Sequence, residues 1–351
     1  MIKKALPLLL ILSMLLCLTA CSDNKNTELK IAIITADELP VNEKTGNAEA
    51  SPDREVWKAA EVVKKRYGLA ETTLVQPDAP TSEACMTRID KLYSAGHRMI
   101  IVCGYVFSDA LIAAQDKYRD CYFIAADFVP ERLEENSAAV FSEDQESAFV
   151  AGVAAALKVQ EGEAGAVLGA KTDSELRCSA GFQQGVLYAN ANYGTSVNIK
   201  ISSFLSVGSF HNESVAQQLA AQLFDSGVNC LLIAAGHSSR GALIEAKVRR
   251  ASGDDIWAIG TGVDQYYNGI YEGNQSVVLT SAVRYISAAV EELLDSAVNN
   301  EFQGGRIVLM NSANNGVGLP ARNNNIDSDM LRKCQEVREK IIDGTLTVAA
   351  E

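Results

Sequence analysis

Histidine is scarce in this chain: there are three in 351 residues, at His97, His211 and His237, far apart from one another. No H-E-x-x-H and no C-x-x-C pair is present, so the short ligand spacings of a metal site are missing. Basic residues are also few, 31 Lys and Arg against 44 Asp and Glu. That balance argues against nucleic acid and anionic membrane surfaces as ligands, because both select basic patches. Catalytic signatures fail on inspection. In Gly236-HSSRG the glycines stand five apart, whereas a nucleophile elbow needs them four apart. The same stretch continues Ala242-Leu243 where a P-loop needs Lys and then Ser or Thr. The expectation is a protein that is not an enzyme and has no cofactor or metal.

What is present begins with a processing signal. Met1-IKK gives a positive start, Ala5 to Leu18 an apolar run, and Leu18-TAC a cysteine preceded by small residues. The run is too short for a membrane span, which needs about 20 apolar residues. The tetrapeptide has the form of a lipobox, so residues 1–20 are expected to be removed and Cys21 to carry lipid. This places the chain at the cell membrane, anchored on the extracytoplasmic side. Loss of Lys3 and Lys4 leaves 29 basic and 44 acidic residues, a net charge of −15. Residues 21–28, with Ser22-DNKNTE, read as a tether.

The rest alternates strands and helices. Leu29-KIAIIT, Arg98-MIIVCG, Cys121-YFIAAD, Ala164-GAVLG, Asn229-CLLIAAG and Ile256-WAIG are apolar runs of strand length, each followed by a small or polar loop and an amphipathic segment. Between the two series lies Phe141-SEDQESAFVAGVAAALK, a helix expected from about Gln145 to Lys158 at the passage from one α/β unit to another. The chain after the tether is long enough for two domains of roughly 150 residues. The expected fold class is α/β, with two lobes, each a mainly parallel sheet covered by helices on both faces. The first lobe is assigned 29–141 plus about 278–300, and the second 142–277 plus about 301–351. Six cysteines remain, Cys85, Cys103, Cys121, Cys178, Cys230 and Cys334. Several fall at ends of core strands, where a free thiol behaves as a small hydrophobe, and most are expected reduced.

In open α/β sheets ligands bind beyond the carboxyl ends of the strands. The loops at Thr35-ADEL, Gly104-YVFSD, Asp127-F, Gly169-AKTD, Gly236-HSSR and Gly262-VD all stand there. Loops of that kind facing each other from two lobes make a cleft for a small polar ligand.

In order along the chain, Phe141-SEDQESAFVAGVAAALK, Gly181-FQQG, Gly208-SFHN, Ala234-AG, Val263-DQ and Leu279-TSAVR resemble the basic membrane protein (BMP) family of substrate-binding lipoproteins, including its purine nucleoside receptor A type. The resemblance covers about residues 29–310. It implies the two-lobed periplasmic-binding-protein fold and delivery of nucleosides to an ABC transporter. Position by position it brings Trp57, Tyr105, Asp264 and Arg284 to the ligand, with Trp57 and Tyr105 stacking, Asp264 on hydroxyls and Arg284 at the hinge; the Gly236 loop, at the carboxyl end of its strand, is expected to give backbone contacts. The family's D-x-S-F-N element is absent, Cys178 stands where it has an aromatic, Gly262 where it has an aspartate, and Arg284 where it has a lysine. The expected ligand is a nucleoside or related small polar molecule, purine nucleoside favoured, and the expected partner is an ABC permease, with the chain a monomer. A lipoprotein of the same fold that senses its ligand and signals to a membrane partner is the alternative reading.

Overall fold

A computed structural model describes residues 26–36, 38–39 and 50–351. The expected signal segment, the lipidated Cys21 and most of the loop between Asp37 and Arg54 lie outside the described residues. Two six-stranded sheets organise the rest. In the first, the order runs β2 (Glu71–Val75), β1 (Lys30–Ile34), β3 (Met99–Cys103), β4 (Tyr122–Ala126), β5 (Ser137–Ser142) and β13 (Arg306–Met310), all parallel. The second repeats that order with β7 (Ser196–Ser206), β6 (Glu161–Leu168), β8 (Val228–Ala234), β9 (Trp257–Gly262), β12 (Val278–Arg284) and β14 (Val317–Gly318), where β14 alone is antiparallel to its neighbour. A hairpin of β10 (Ile270–Glu272) and β11 (Gln275–Ser276) stands apart.

The strands are apolar on both sides because both sides are covered. In β1, Ile31 and Ile33 pack under α1 (Pro52–Tyr67) and α8 (Ile286–Val298). Ala32 and Ile34 face α2 (Ser82–Ser94) and α3 (Ser108–Lys117) on the other side. The second sheet carries α4 (Asp144–Val159), α5 (Asp173–Tyr193) and α9 (Ser328–Ile342) on one face, and α6 (Glu213–Asp225) and α7 (Ser239–Ala251) on the other. All six described cysteines are buried and unbonded.

The chain passes between the lobes three times: from β5 into α4, from β12 into α8, and from β13 into β14. This corrects the expected boundaries. Residues 278–284 join the second sheet, since β12 is buried along nearly its whole length between β9 and β14. Residues 306–310 join the first, where β13 pairs with the open edge of β5 and sets Val308 and Met310 against its core. The α8 helix starts only at Ile286, because Val283 and Arg284 still pair with β9 and β14.

Three glycines set the spacing of α4 and α5. A Cβ on Gly152 would overlap the Phe182 carbonyl oxygen, on Gly181 that of Gln145, and on Gly185 that of Phe149. The helices therefore touch backbone to backbone. Gly185→Ala is expected to cost about 2–3 kcal/mol, the upper part of the overpacking range, since its Cβ would meet backbone. Gly68→Ala, at a helix end with φ of 67° and open space around it, should cost about 1 kcal/mol from backbone strain alone. Thermal midpoints of the two variants give the comparison, and equal losses would refute the close-crossing argument.

Candidate functional site

The carboxyl ends of β1, β3, β4 and β5 face those of β6, β7, β8, β9 and β12 across one cleft of about 1410 Å³. Gly104, at φ of 104°, turns the chain after β3 and sends Tyr105 into the cleft, half exposed. From the other lobe the loop after β7 brings Phe210. Its ring lies over Gly169 and Gly236, where added Cβ atoms would sit 2.6 and 2.7 Å from its edge. Gly236 thus makes room for a ring. Tyr105 and Phe210 meet edge to face, with centroids 6.1 Å apart and planes at 73°, an arrangement that suits the aromatic quadrupole.

The floor is charged. Asp144, the first residue of α4, accepts hydrogen bonds from Ser142 Oγ at 2.8 Å and Ser174 Oγ at 2.6 Å. It also lies 3.7 Å from both Arg177 and Arg284. Arg284 Nη1 donates to Asp127 and, at 3.3 Å, to Ser174. Asp127 follows β4 in the first lobe and Arg284 ends β12 in the second, so this ion pair spans the lobes. Asp127 holds a positive φ of 72°, a backbone that Asp tolerates better than most residues. Arg177 lies over the Phe141 ring at 4.5 Å. The Nε atoms of Arg177 and Arg284 are buried without a hydrogen-bond partner. Gly262 faces this cluster: a Cβ there would stand 3.1 Å from Pro52 and 3.7 Å from Arg284, so its lack of a side chain leaves space for the guanidinium. Burial pushes the Asp127 carboxyl up to about 6, against the pull of Arg284 and with a further push from Asp144. Burial also raises Glu175, even though the Gly169 and Thr172 backbone N–H groups and the Thr172 hydroxyl all donate to its carboxylate.

Of the residues expected at the ligand, the structure brings Tyr105, Gly236 and Arg284 together in the cleft. Trp57 is not among its lining residues. The buried stripe of α1 is Val56, Ala59, Ala60 and Val63, and Trp57 falls beside it, lining a shallow outer groove with Lys58 and Glu61. Asp264 is also elsewhere: its carboxylate accepts from Tyr266 N at 3.0 Å and closes the turn after β9. Asp127 was expected at the cleft edge as the loop after its strand, whereas Phe210, Asp144, Ser174 and Arg177 carried no expected ligand role. A ring after Gly-Ser and an acid directly after a strand were the available signals. Among the described residues no group of three or more His, Cys, Asp or Glu could hold a metal ion, and no helix is long and apolar enough to cross a membrane.

Residues 45–351 match the family model described as ABC transporter substrate-binding protein PnrA-like. The ABC transporter nucleoside-binding protein BmpA of Lactococcus lactis subsp. cremoris is 28% identical over 94% of this chain and 92% of its own. The CD4+ T-cell-stimulating antigen of Listeria monocytogenes is 28% identical over 75% and 73%. Among solved structures, an ABC transporter solute-binding protein from Aeropyrum pernix K1 superposes with a TM-score of 0.76 at 20% identity, over 92% of this chain and 94% of that one. That likeness shows the two-lobed solute-binding fold.

The charge on Asp127 has a consequence for cleft closure. Burial in this conformation holds the Asp127 carboxyl at about 6, above the roughly 3.9 of a carboxyl in solvent, so opening that exposes it weakens its hold on the proton. Closure is then favoured as pH falls from above 6 towards 4, and the ionised form opposes it at neutral pH. The groups facing Asp127 are Arg284, Asp144, Arg177 and Cys103. Small-angle scattering should show the ligand-free chain more compact at pH 5 than at pH 7.5. Asp127→Asn, which keeps the neutral form at both pH values, should remove most of that difference; an unchanged difference would rule out this carboxyl as its source.

Proposed function

We propose that this chain, which belongs to the PnrA-like family of ABC transporter substrate-binding proteins, captures a nucleoside or closely related polar ligand in its interlobe cleft and presents the closed form to a permease. The observation that carries the reading is the pair of rings from opposite lobes, Tyr105 and Phe210, above the charged floor of Asp127, Asp144 and Arg284. A flat base fits between or against such rings, and hydroxyls of a sugar find carboxylates and guanidinium below. Nucleoside binding by the Lactococcus relative supports the same ligand class. Purine nucleosides are favoured, since stacking on aromatic side chains contributes ~1–3 kcal/mol per base.

Tyr105 and Phe210 act as stacking residues, Arg284 orients the polar end from the hinge, and Gly236 holds Phe210 in place. Closure is a population shift: a ligand touching both lobes stabilises the closed state by its difference in affinity for the two states. The lipobox cysteine, Cys21, supports a lipid anchor on the extracytoplasmic side of the cell membrane, which keeps the receptor near its permease.

Calorimetry of the purified chain with adenosine, guanosine, inosine and uridine should show binding, strongest for a purine. Phe210→Ala should weaken it by at least about fivefold, the lower end of one stacking interaction. Binding of sugars or amino acids with none of nucleosides would overturn the ligand class and leave the fold reading intact. For the anchor, expression in a bacterial host with radiolabelled palmitate should label the wild-type chain, whereas Cys21→Ala should be unlabelled and released from the membrane fraction. Labelling of the variant would show that this cysteine is not the lipid site.

A further inference from the structure

The cleft does not stop at the rings. Its wall continues along α7, through Arg240, then Leu243 and Ile244, then Lys247 and Val248, to Ala251, a spacing of three and four that keeps one helix face turned to the same cavity. Eleven residues at 1.5 Å each carry that face about 16 Å away from the cleft mouth. Opposite stand Ile270 and Tyr271 of the β10–β11 hairpin. The first lobe has no such wall, since its connection from β4 to β5 contains no strand pair. The resulting groove has an apolar strip of Leu243, Ile244, Val248 and Ile270 beside the polar Arg240, Lys247 and Asn268. Leu243 is buried at its base and Val248 is 54% exposed along its side. Two charged side chains line this stretch: Arg240 stands at its cleft end, 3.9 Å from Glu213, and Lys247 donates from its ammonium to the Asn268 carbonyl at 3.1 Å, which leaves its aliphatic stem to line the wall. The cavity as a whole, about 1410 Å³, exceeds the roughly 300–1,000 Å³ of pockets for drug-sized ligands.

We propose that this groove is a second subsite of the cleft, and that the ligand is a nucleoside-like molecule carrying an aliphatic or aromatic substituent that lies along α7 between Val248 and Tyr271. The inference rests on the reading of the cleft as a nucleoside site. The polar head occupies the rings and the charged floor; the substituent runs past Arg240 into the groove. Continuity of the groove with the cleft selects the ligand's own tail as occupant, because any other apolar segment would have to enter beside the bound head.

The test is calorimetry of the purified chain with adenosine, its N6-hexyl derivative and its 5′-O-hexyl derivative, repeated on Val248→Glu. Val248 is largely exposed, so the variant should fold, and an unchanged melting midpoint checks this. Adenosine should bind both proteins within twofold. At least one hexyl derivative should bind wild type at least tenfold more tightly than adenosine, and the gain should vanish in Val248→Glu. Hexyl derivatives no tighter than adenosine, or a gain that survives the substitution, would overturn the subsite. Failure of adenosine itself would count against the nucleoside reading, and a second probe then decides the groove. Fluorescence of 1-anilinonaphthalene-8-sulfonate should be enhanced by wild type and by Phe210→Ala but not by Val248→Glu; equal enhancement by all three would refute an apolar site there.

Discussion

The carboxylate of Asp144 holds the places where the two lobes are joined. It sits at the first passage between lobes, and its two oxygens gather Ser142, Ser174, Arg177 and Arg284, the last of these at the second passage. Neighbouring groups bind in the third passage: Glu146 accepts from Ser312 N at 2.6 Å, and Glu143 N donates to the Met310 carbonyl at 2.9 Å. Tyr285 N donates to the Gly316 carbonyl at 2.8 Å, so the second and third passages also hold each other. A buried charge needs such partners, because an unpaired one costs several kcal/mol. The same network that makes the ion tolerable keeps three strands of chain in one register. Hinge and ligand floor are therefore one structure, and Arg284 belongs to both.

The helix behind that floor is fixed with equal economy. Glycines at 152, 181 and 185 let α4 and α5 meet at their backbones, which brings Ser174 and Arg177 of α5 against Asp144 of α4. Thr172 caps α5, with Glu175 reaching back to it, so the start of α5 is set from both sides. The position of Arg177 thus depends on packing several residues away from any ligand.

Much of this was legible in the sequence. Apolar runs bounded by glycine and polar loops marked six of the principal strands, since a strand buried on both faces leaves an uninterrupted signature. Two elements were not visible. In β2 every residue is only half buried, and Glu71-TTLV carries too little apolar contrast to stand out. The β10–β11 hairpin is five residues of strand around Gly273, below the length at which alternation can be counted. Membership of a lobe was legible only to the passages, because β12 and β13 exchange sheets on the strength of which edge is open. In the cleft, Tyr105 could be read from its loop after a strand, whereas Arg284, the last residue of β12, came from the family resemblance. Trp57 could not be placed, because a one-residue offset from the buried stripe of α1 is 100° of rotation, enough to turn a ring from the cleft to the outside.

The buried thiols carry a practical meaning. Burial pushes Cys85, Cys121, Cys230 and Cys334 up to about 12, and lifts Cys103 and Cys178 well above the ordinary thiol range. The reactive species is the thiolate, and at neutral pH these six supply almost none. A chain with six reduced cysteines can therefore face an oxidising medium without scrambling, and to alkylating reagents its folded domain is silent. One cysteine placed on each lobe by substitution would be the sole labelled pair in the folded domain, so the molecule is already suited to carrying optical reporters of its own hinge angle.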